Sequence, residues 1–374
     1  MCPMMIRTFA ARIVVVSAVL ASTASAVEYT VASCAELDEV DDTAITSLVI
    51  TASPFECDEY TRFRIRNGMT LTATVPEVVF SDFSLKVVAG NLTVEPDVVF
   101  TGVFEQVKNG GVLYVSEGTT ATFMGASEFS GNSVLTKDCL DSADECYPNY
   151  KVKKGGAIHN KGDLVFEGDA NFTSNEAHTL DSTTVGKAGA ISNTASGSIT
   201  FKGSLTMDSN EAEGFFEGSA GAIYNRGDII VEGDATFSKN EAAEGGAIFQ
   251  EPWGTLTLNG MATFEGNECS DYRGGAVFNN GGVMDFNGGS LFDDNYASGS
   301  GDGGNGGAIY NTNEGVITLT GTTTFSNNRA YYGGAIYYRS DSSTVTYPDD
   351  TIFDGNTASV CPNVYSGDQD NCEA

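Results

Sequence analysis

The feature that most constrains this chain is an internal repeat with two short signatures, G-G-A-I-x-N and F-x-x-N. The first signature occurs seven times, with starts 25 to 33 residues apart, at residues 155, 188, 220, 245, 274, 306 and 333. The second interleaves with it, beginning at Phe129, Phe172, Met207, Phe237, Phe264, Phe292, Phe325 and Phe353. A period of this size is typical of solenoids, in which each repeat is one unit that packs on its neighbours.

Each repeat also contains a third apolar run, such as residues 163–168 or 254–259. Three short β-rich runs are thus separated by Gly, Asn and Asp turns, and no repeat holds a helix-period run of ten residues. The sequence therefore predicts an all-β fold, a single-stranded parallel β-helix whose coils stack at about 4.8 Å.

Strand alternation assigns the repeated residues to faces, because successive side chains of a strand point to opposite sides. The isoleucines of the first signature and the phenylalanines of the second are predicted to form two interior stacks, which include Ile223 and Phe264. The asparagines that end the signatures are predicted to form ladders, in which each amide bonds the next coil and the local backbone.

The position between the isoleucine and the asparagine should face outward, and in five later copies it is aromatic. An exposed aromatic column of this kind suits flat contact with sugar rings or with another protein. The alternative is that long turns or a terminal segment cover it. The predicted binding surface consists of Tyr224, Phe249, Phe278, Tyr310 and Tyr337.

The ends of the chain depart from the repeat, as the ends of a solenoid must. A short helix over residues 34–40 is predicted to cover the first coil. The predicted organisation is a signal peptide at 1–26, an N-terminal cap at 27–66, a β-helix at 67–356 (degenerate coils at 67–135, full repeats at 129–356) and a C-terminal cap at 357–374.

Residues 1–26 combine basic Arg7 and Arg12, a short apolar run and an Ala24-Ser25-Ala26 cleavage site, which is typical of a secretory signal. We find no transmembrane segment, since no apolar run is long enough. The formal net charge of −31 argues against nucleic acid and anionic membranes as partners, because both are bound through clustered Lys and Arg. We therefore expect a secreted or cell-surface protein.

Cysteine spacing agrees with an oxidising compartment, because six cysteines fall into three local pairs. The predicted disulfides join Cys34 to Cys57, Cys139 to Cys146 and Cys361 to Cys372. For Cys269 a buried thiol is favoured over an intermolecular disulfide. Asn91 and Asn171 begin glycosylation sequons, and Asn171 should face outward because Phe172 faces inward.

The G-G-A-I and F-x-x-N motifs over residues 129–356 resemble the repeats of the polymorphic outer membrane protein family. The resemblance implies a right-handed β-helix displayed at a cell surface, and several members of that family act as adhesins. The chain looks like the repeat passenger of that family without its C-terminal translocator barrel, which favours free secretion or wall association.

The sequence gives little support for catalysis. Of the two histidines, His159 falls at the outward position of the repeat, where other copies carry Ser, Tyr or Phe, so we interpret it as a tolerant surface site. The acidic residues recur because their turn recurs, and no catalytic residue, metal ligand or cofactor site is predicted. The leading hypothesis is a non-enzymatic adhesion or interaction protein with an extracellular glycan or protein partner. The alternatives are a polysaccharide-active β-helix enzyme, like a pectate lyase or an epimerase, and a structural wall component.

Overall fold

A computed structural model of the chain describes residues 28–37, 45–105, 110–135, 153–178, 186–213, 219–299, 304–339, 342–367 and 371–373. The fold is 57% strand and 1% helix, and long stacks of parallel strands form three sheets. The predicted all-β parallel β-helix is therefore confirmed. The signal sequence and the Cys139–Cys146 pair lie outside the described residues.

Sheet A is built from the third apolar run of each repeat. Its strands pair in parallel and in register, so that Leu164 lies beside Ile199 and Ile199 beside Ile229. The strands of sheet A are Glu28–Val31, Ser47–Ile50, Met69–Ala73, Asn91–Val94, Thr120–Phe123, Asp163–Phe166, Ser198–Phe201, Asp228–Val231, Thr255–Leu258, Val283–Phe286, Val316–Leu319 and Thr344–Thr346.

Sheet B contains two ladders, one for each signature. The long strands Phe55–Ile65 and Glu77–Val87 run through both ladders and join them into one sheet. The FxxN ladder continues through Asp97–Thr101, Ser127–Ser130, Ala170–Thr173, Leu205–Asp208, Ala235–Ser238, Ala262–Glu265, Ser290–Asp293, Thr323–Ser326 and Ile352–Asp354. The GGAI ladder continues through Leu113–Val115, Ile158–Asn160, Ile191–Asn193, Ile223–Asn225, Ile248–Gln250, Val277–Asn280, Ile309–Thr312, Ile336–Tyr338 and Val364–Ser366, and it ends on antiparallel Asn371–Glu373.

Sheet C corresponds to no run in the predicted repeat of three strands. It forms directly after each F-x-x-N, and its inward row is occupied by small residues such as Ala177, Ala212 and Ala242. Its strands are Phe104–Glu105, Ser133–Leu135, Glu176–His178, Glu211–Glu213, Glu241–Glu244, Glu268–Arg273, Tyr296–Ala297, Arg329–Tyr332 and Thr357–Val360. Lys153–Lys154 and Gly186–Lys187 form a separate two-stranded sheet.

The predicted interior stacks are present. The isoleucines of the GGAI ladder are fully buried, and the phenylalanine rings of the FxxN ladder stack face to face, with centroids 4.7 Å apart between Phe237 and Phe264. Cys269 lies in the small-residue row of sheet C, where its buried thiol donates to the carbonyl of Ala243. Burial of this thiol agrees with the interpretation favoured from the sequence.

Both predicted asparagine ladders are also present. In the FxxN ladder each side-chain amide donates to the side-chain oxygen of the next coil, for example from Asn210 to Asn240 at 3.0 Å. It also donates to a backbone carbonyl, as Asn240 does to Met207. This ladder is unbroken across eight buried residues, Asn132, Asn175, Asn210, Asn240, Asn267, Asn295, Asn328 and Asn356.

The second glycine of each G-G-A permits close contact between coils. A Cβ atom built on Gly246 would lie 2.1 Å from the carbonyl oxygen of Gly275, and one on Gly156 would lie 2.1 Å from that of Gly189. Each such position thus meets the backbone of the following coil. Side-chain volume is excluded there, which explains why glycine recurs.

The N-terminal part joins the solenoid earlier than the predicted boundary at residue 67. Glu28–Val31 pairs in parallel with Ser47–Ile50, which makes it the first strand of sheet A. The described part of the predicted helix is Cys34–Leu37, and residues 38–40 lie outside the described residues. Disulfides join Cys34 to Cys57 and Cys361 to Cys372, as predicted for these two pairs.

Candidate functional site

One row of side chains follows the outer face of the GGAI ladder through eleven paired strands. The backbone register places each member beside the next, with coils spaced about 4.8 Å apart. We call this the outer row. It consists of Arg64, Lys86, Tyr114, His159, Ser192, Tyr224, Phe249, Phe278, Tyr310, Tyr337 and Tyr365.

The aromatic part of the outer row is covered, so the expectation of an exposed column was wrong. Exposure is 3% for Tyr224, 6% for Phe249, 3% for Phe278 and 4% for Tyr310. Tyr337 is half-buried and packs against the same cluster. Any role of these five residues in binding stays a prediction, and buried rings offer a partner little contact area.

The covering residues are those that precede each G-G-A. The first residue of that motif bends the chain at positive φ, for example 69° at Gly274, which turns the preceding residue back beside the outer row. These preceding residues pair from coil to coil as an additional line, from Glu244 to Arg273 to Asn305. The Arg273 guanidinium lies 5.4 Å from the centroid of the Tyr310 ring, and it thereby covers part of the aromatic cluster.

His159 is fully buried, which corrects its interpretation as a surface site. Its ring lies 5.3 Å from that of Tyr114, and neither ring nitrogen has a hydrogen-bond partner among the described residues. Burial, then the charges of Lys154 and Lys161, lower the pKa of His159 to about 3. The imidazole is therefore neutral at physiological pH.

Replacing His159 with phenylalanine, the residue type found elsewhere in the outer row, is expected to stabilise the protein. The change removes two buried ring nitrogens that lack partners, which gives about 1–2 kcal/mol at pH 7. Below pH 6.5 the His159 imidazole of the unfolded wild type binds a proton, whereas the imidazole of the folded state stays neutral down to about pH 3. The wild type therefore loses stability as the pH falls from 6.5 to 3. Urea unfolding at pH 7 and pH 5 should show a larger advantage for the variant at pH 5. An advantage that is the same at both pH values would contradict the buried neutral state.

The N-terminal half of the outer row and its flanks carry a cluster of cations. Lys86 is crowded by Arg62, Arg64 and Lys161, and after burial their charges lower its pKa. The pKa of Lys154 is lowered by burial, then by Lys187, Lys161 and Arg226. We call the seven residues the basic cluster: Arg62, Arg64, Lys86, Lys154, Lys161, Lys187 and Arg226.

The basic cluster ends at Tyr224. Lys187 Nζ lies 4.4 Å from the centroid of the Tyr224 ring and donates to its hydroxyl at 2.8 Å. The Tyr224 hydroxyl in turn donates to Glu251, which lies 3.9 Å from Lys187. Burial and the contact with Glu251 raise the pKa of Tyr224, so the phenol stays protonated. Acid and base are thus paired at this boundary.

Sheet C carries the opposite charge. The backbone register places Glu176, Glu211, Glu241 and Glu268 beside one another on successive coils. Burial, then the charges of Glu241, Glu176 and Glu213, raise the pKa of Glu211. Burial, then the charges of Glu268 and Glu213, raise that of Glu241. We call the four residues the glutamate row.

Replacing Glu211 with glutamine is expected to stabilise the protein at pH 7. Like charges directly opposite each other destabilise a sheet, and each contact at this exposure contributes roughly 0.5 kcal/mol. Because the folded-state pKa of Glu211 is raised, the wild type gains stability as pH falls through that pKa, and the advantage of the variant shrinks. Chemical denaturation at pH 7 and pH 4.5 measures both effects. The exposed Glu232→Gln variant carries the same charge change, and an equal gain there would exclude the glutamate row as the cause.

A histidine lies beside the glutamate row. His178 Nδ1 is 3.2 Å from Glu176 and 2.5 Å from Glu213, and the ligand atoms of the three residues lie within 4.8 Å of one another. Sequence reasoning missed this group because sheet C was not predicted. The available signal was an N-E-A that begins at the last asparagine of the second signature in three of its eight copies, at residues 175–177, 210–212 and 240–242.

The two predicted sequons lie on the surface. Asn91 and Asn171 are exposed, and the outward orientation predicted for Asn171 is confirmed while Phe172 is buried. Glycosylation of either residue stays a prediction.

Two segments, residues 289–312 and 322–339, match the family model of the Chlamydia polymorphic membrane protein repeat. Each segment contains one FxxN signature followed by one GGAI signature, which confirms the resemblance. The family is associated with cell surfaces, and the two disulfides fit an extracellular location. No curated protein and no solved structure matches the chain. Within the described residues, none of the helices has the length and apolar character needed to cross a bilayer.

Proposed function

We propose that the chain is a non-enzymatic extracellular protein that binds a partner, as an adhesin or wall-associated interaction protein does. The repeat match supports surface association, and the disulfides support export. The solenoid supplies a rigid scaffold with extended outer faces, which is how proteins of this architecture present binding surfaces.

The observation that carries the proposal is the separation of charge between two outer faces. The residues that define the repeat are buried, as Ile223, Phe264 and Asn240 illustrate. Arg62, Arg64 and Lys86 of the basic cluster lie on the GGAI ladder, and its other members lie on the segments directly before or after ladder strands, whereas the glutamate row lies on the nine-stranded stack of sheet C. A concentration of like charges does not stabilise a fold. It does provide a surface that attracts and selects partners of opposite charge.

A second candidate is an enzyme that acts on polysaccharides, and one observation favours it. Glu176, His178 and Glu213 form a compact group on the outer face of sheet C. A carboxylate and an imidazole at hydrogen-bond distance can perform general acid–base catalysis. We rank this candidate second because Glu176 belongs to the glutamate row, whose repetition along sheet C the structure alone explains.

One experiment separates the two candidates. The purified chain is applied to a glycan array and to cultured cells, and turnover of uronate polymers is followed by absorbance in parallel. We expect saturable binding without turnover. Turnover that disappears in a His178→Ala variant would overturn the non-enzymatic function, and absence of binding to every array component and cell would overturn the binding function.

A further inference from the structure

We propose that the basic cluster is a binding site for an acidic polysaccharide, whose carboxylate or sulfate groups contact Lys86, Lys154 and Lys161. The inference rests on the proposed binding function and names the class of partner. It concerns the N-terminal half of the outer row, where Arg64 and Lys86 are members of the row and further cations flank it.

The geometry of the cluster is that of an extended site. Arg64 and Lys86 are direct neighbours in the register, and Lys86 Nζ lies 4.7 Å from the centroid of the half-buried Tyr114 ring. Lys154 and Lys161 flank the next position, His159, within the same coil. Cations are thus distributed along several coils, which are spaced about 4.8 Å apart, and the Tyr114 coil between Lys86 and Lys161 contributes none of them.

The electrostatics of the cluster are unfavourable without a ligand. Among the described residues, no carboxylate forms an ion pair with Lys86, Lys154 or Lys161. The charges that act most strongly on Lys86 and Lys154 are other cations. Buried between Lys154 and Lys161, the imidazole of His159 has no partner in the described chain either. An anion bound over this position would relieve the repulsion between the cations. The repulsion itself does not stabilise the fold.

Three features favour an acidic polysaccharide over other anions. The cations extend over several coils along the axis, which matches a linear polymer better than a small ion. Half-buried Tyr114 lies beside Lys86 and adds aromatic contact area next to the cation for a sugar ring. The formal net charge of −31 disfavours duplex nucleic acid, which carries one charge per about 1.7 Å of helix axis, more strongly than a polymer of lower charge density.

The test compares two double variants with the same loss of charge. Lys86→Gln with Lys161→Gln removes two cations of the cluster, and Lys202→Gln with Lys239→Gln removes two exposed cations elsewhere. Binding of heparin, polygalacturonate and neutral dextran to the full chain is measured by surface plasmon resonance at low and physiological salt. We expect the cluster variant to weaken binding of at least one acidic glycan by about tenfold. The control variant should stay within about twofold of the wild type, and dextran should not bind.

The outcomes distinguish the site from the function. If the cluster variant loses binding only to heparin, the site binds sulfate groups. If it loses binding to both heparin and polygalacturonate, the site binds carboxylate groups as well. Equal weakening in both double variants overturns the site, because it reflects net charge alone. Tighter binding of single-stranded oligonucleotide than of either glycan overturns the class of partner. If the wild type binds cells or neutral glycans and the cluster variant binds them equally, the proposed function stands and the acidic-glycan site is overturned. Absence of binding in every arm overturns both.

Discussion

Replacing Asn240 with alanine is expected to destabilise the protein by about 3–6 kcal/mol. The Asn240 side chain accepts from the backbone and side-chain nitrogens of Asn210, and it donates to Met207 and Asn267. Its removal leaves two donors of Asn210 and the carbonyl of Met207 without partners in the interior. Each buried polar group that loses its partner costs about 1–3 kcal/mol.

Chemical denaturation followed by circular dichroism measures the loss. Asn259→Ala is the matched control, because Asn259 is exposed and accepts from Asn287 at 2.9 Å. The control should change the free energy of unfolding by less than about 0.5 kcal/mol. Similar unfolding midpoints for the two variants would show that the ladder is not a main source of stability.

Replacing Gly246 with alanine is expected to destabilise the protein by at least about 3 kcal/mol, because the added methyl group meets main-chain atoms that have no room to move. The new Cβ would lie 2.1 Å from the carbonyl oxygen of Gly275 and 2.5 Å from that of Glu268. Relief requires two adjacent coils to separate, which breaks hydrogen bonds in more than one ladder.

Gly118→Ala separates this clash from ordinary backbone strain. Gly118 adopts a φ of 72°, and nothing lies within 4 Å of the position of a Cβ. This control should cost only about 1 kcal/mol, the strain of an alanine at positive φ. Thermal unfolding of the two variants compares them directly. Equal melting temperatures for the Gly246→Ala and Gly118→Ala proteins would mean that the coils accommodate the added methyl group without a loss of stability.

The parts of the fold that could be predicted are those that a single strand encodes. Alternation within G-G-A-I-x-N places Ile223 inward. An asparagine that recurs at the same turn in successive coils has few roles other than forming a ladder of side-chain hydrogen bonds. The same reasoning places Phe264 in the core. In each case the side chain meets its own equivalent on the next coil, so one repeat contains the information that is needed.

The features of the fold that could not be predicted depend on contacts between different parts of a coil. Tyr310 alternates outward and is nevertheless buried, because Arg273 returns beside it after a bend that local patterning does not describe. His159 likewise alternates outward and is nevertheless buried. Glu176 and Glu213 meet because their strands stack in a sheet too short and too poor in large apolar residues to be recognised.

Gln250 interrupts the ladder of the GGAI signature. Asn225 donates to the Gln250 side-chain oxygen at 3.0 Å, but the Gln250 side-chain nitrogen has no partner among the described residues, and the ladder resumes between Asn279 and Asn311. The junction between the Gln250 and Asn279 coils thus lacks one of the side-chain amide bonds that tie other coils together. Under tension along the axis of the solenoid, such as an adhesive contact exerts, we expect coils to separate first at a junction of this kind. The force it transmits is limited by its weakest coil rather than by its average one.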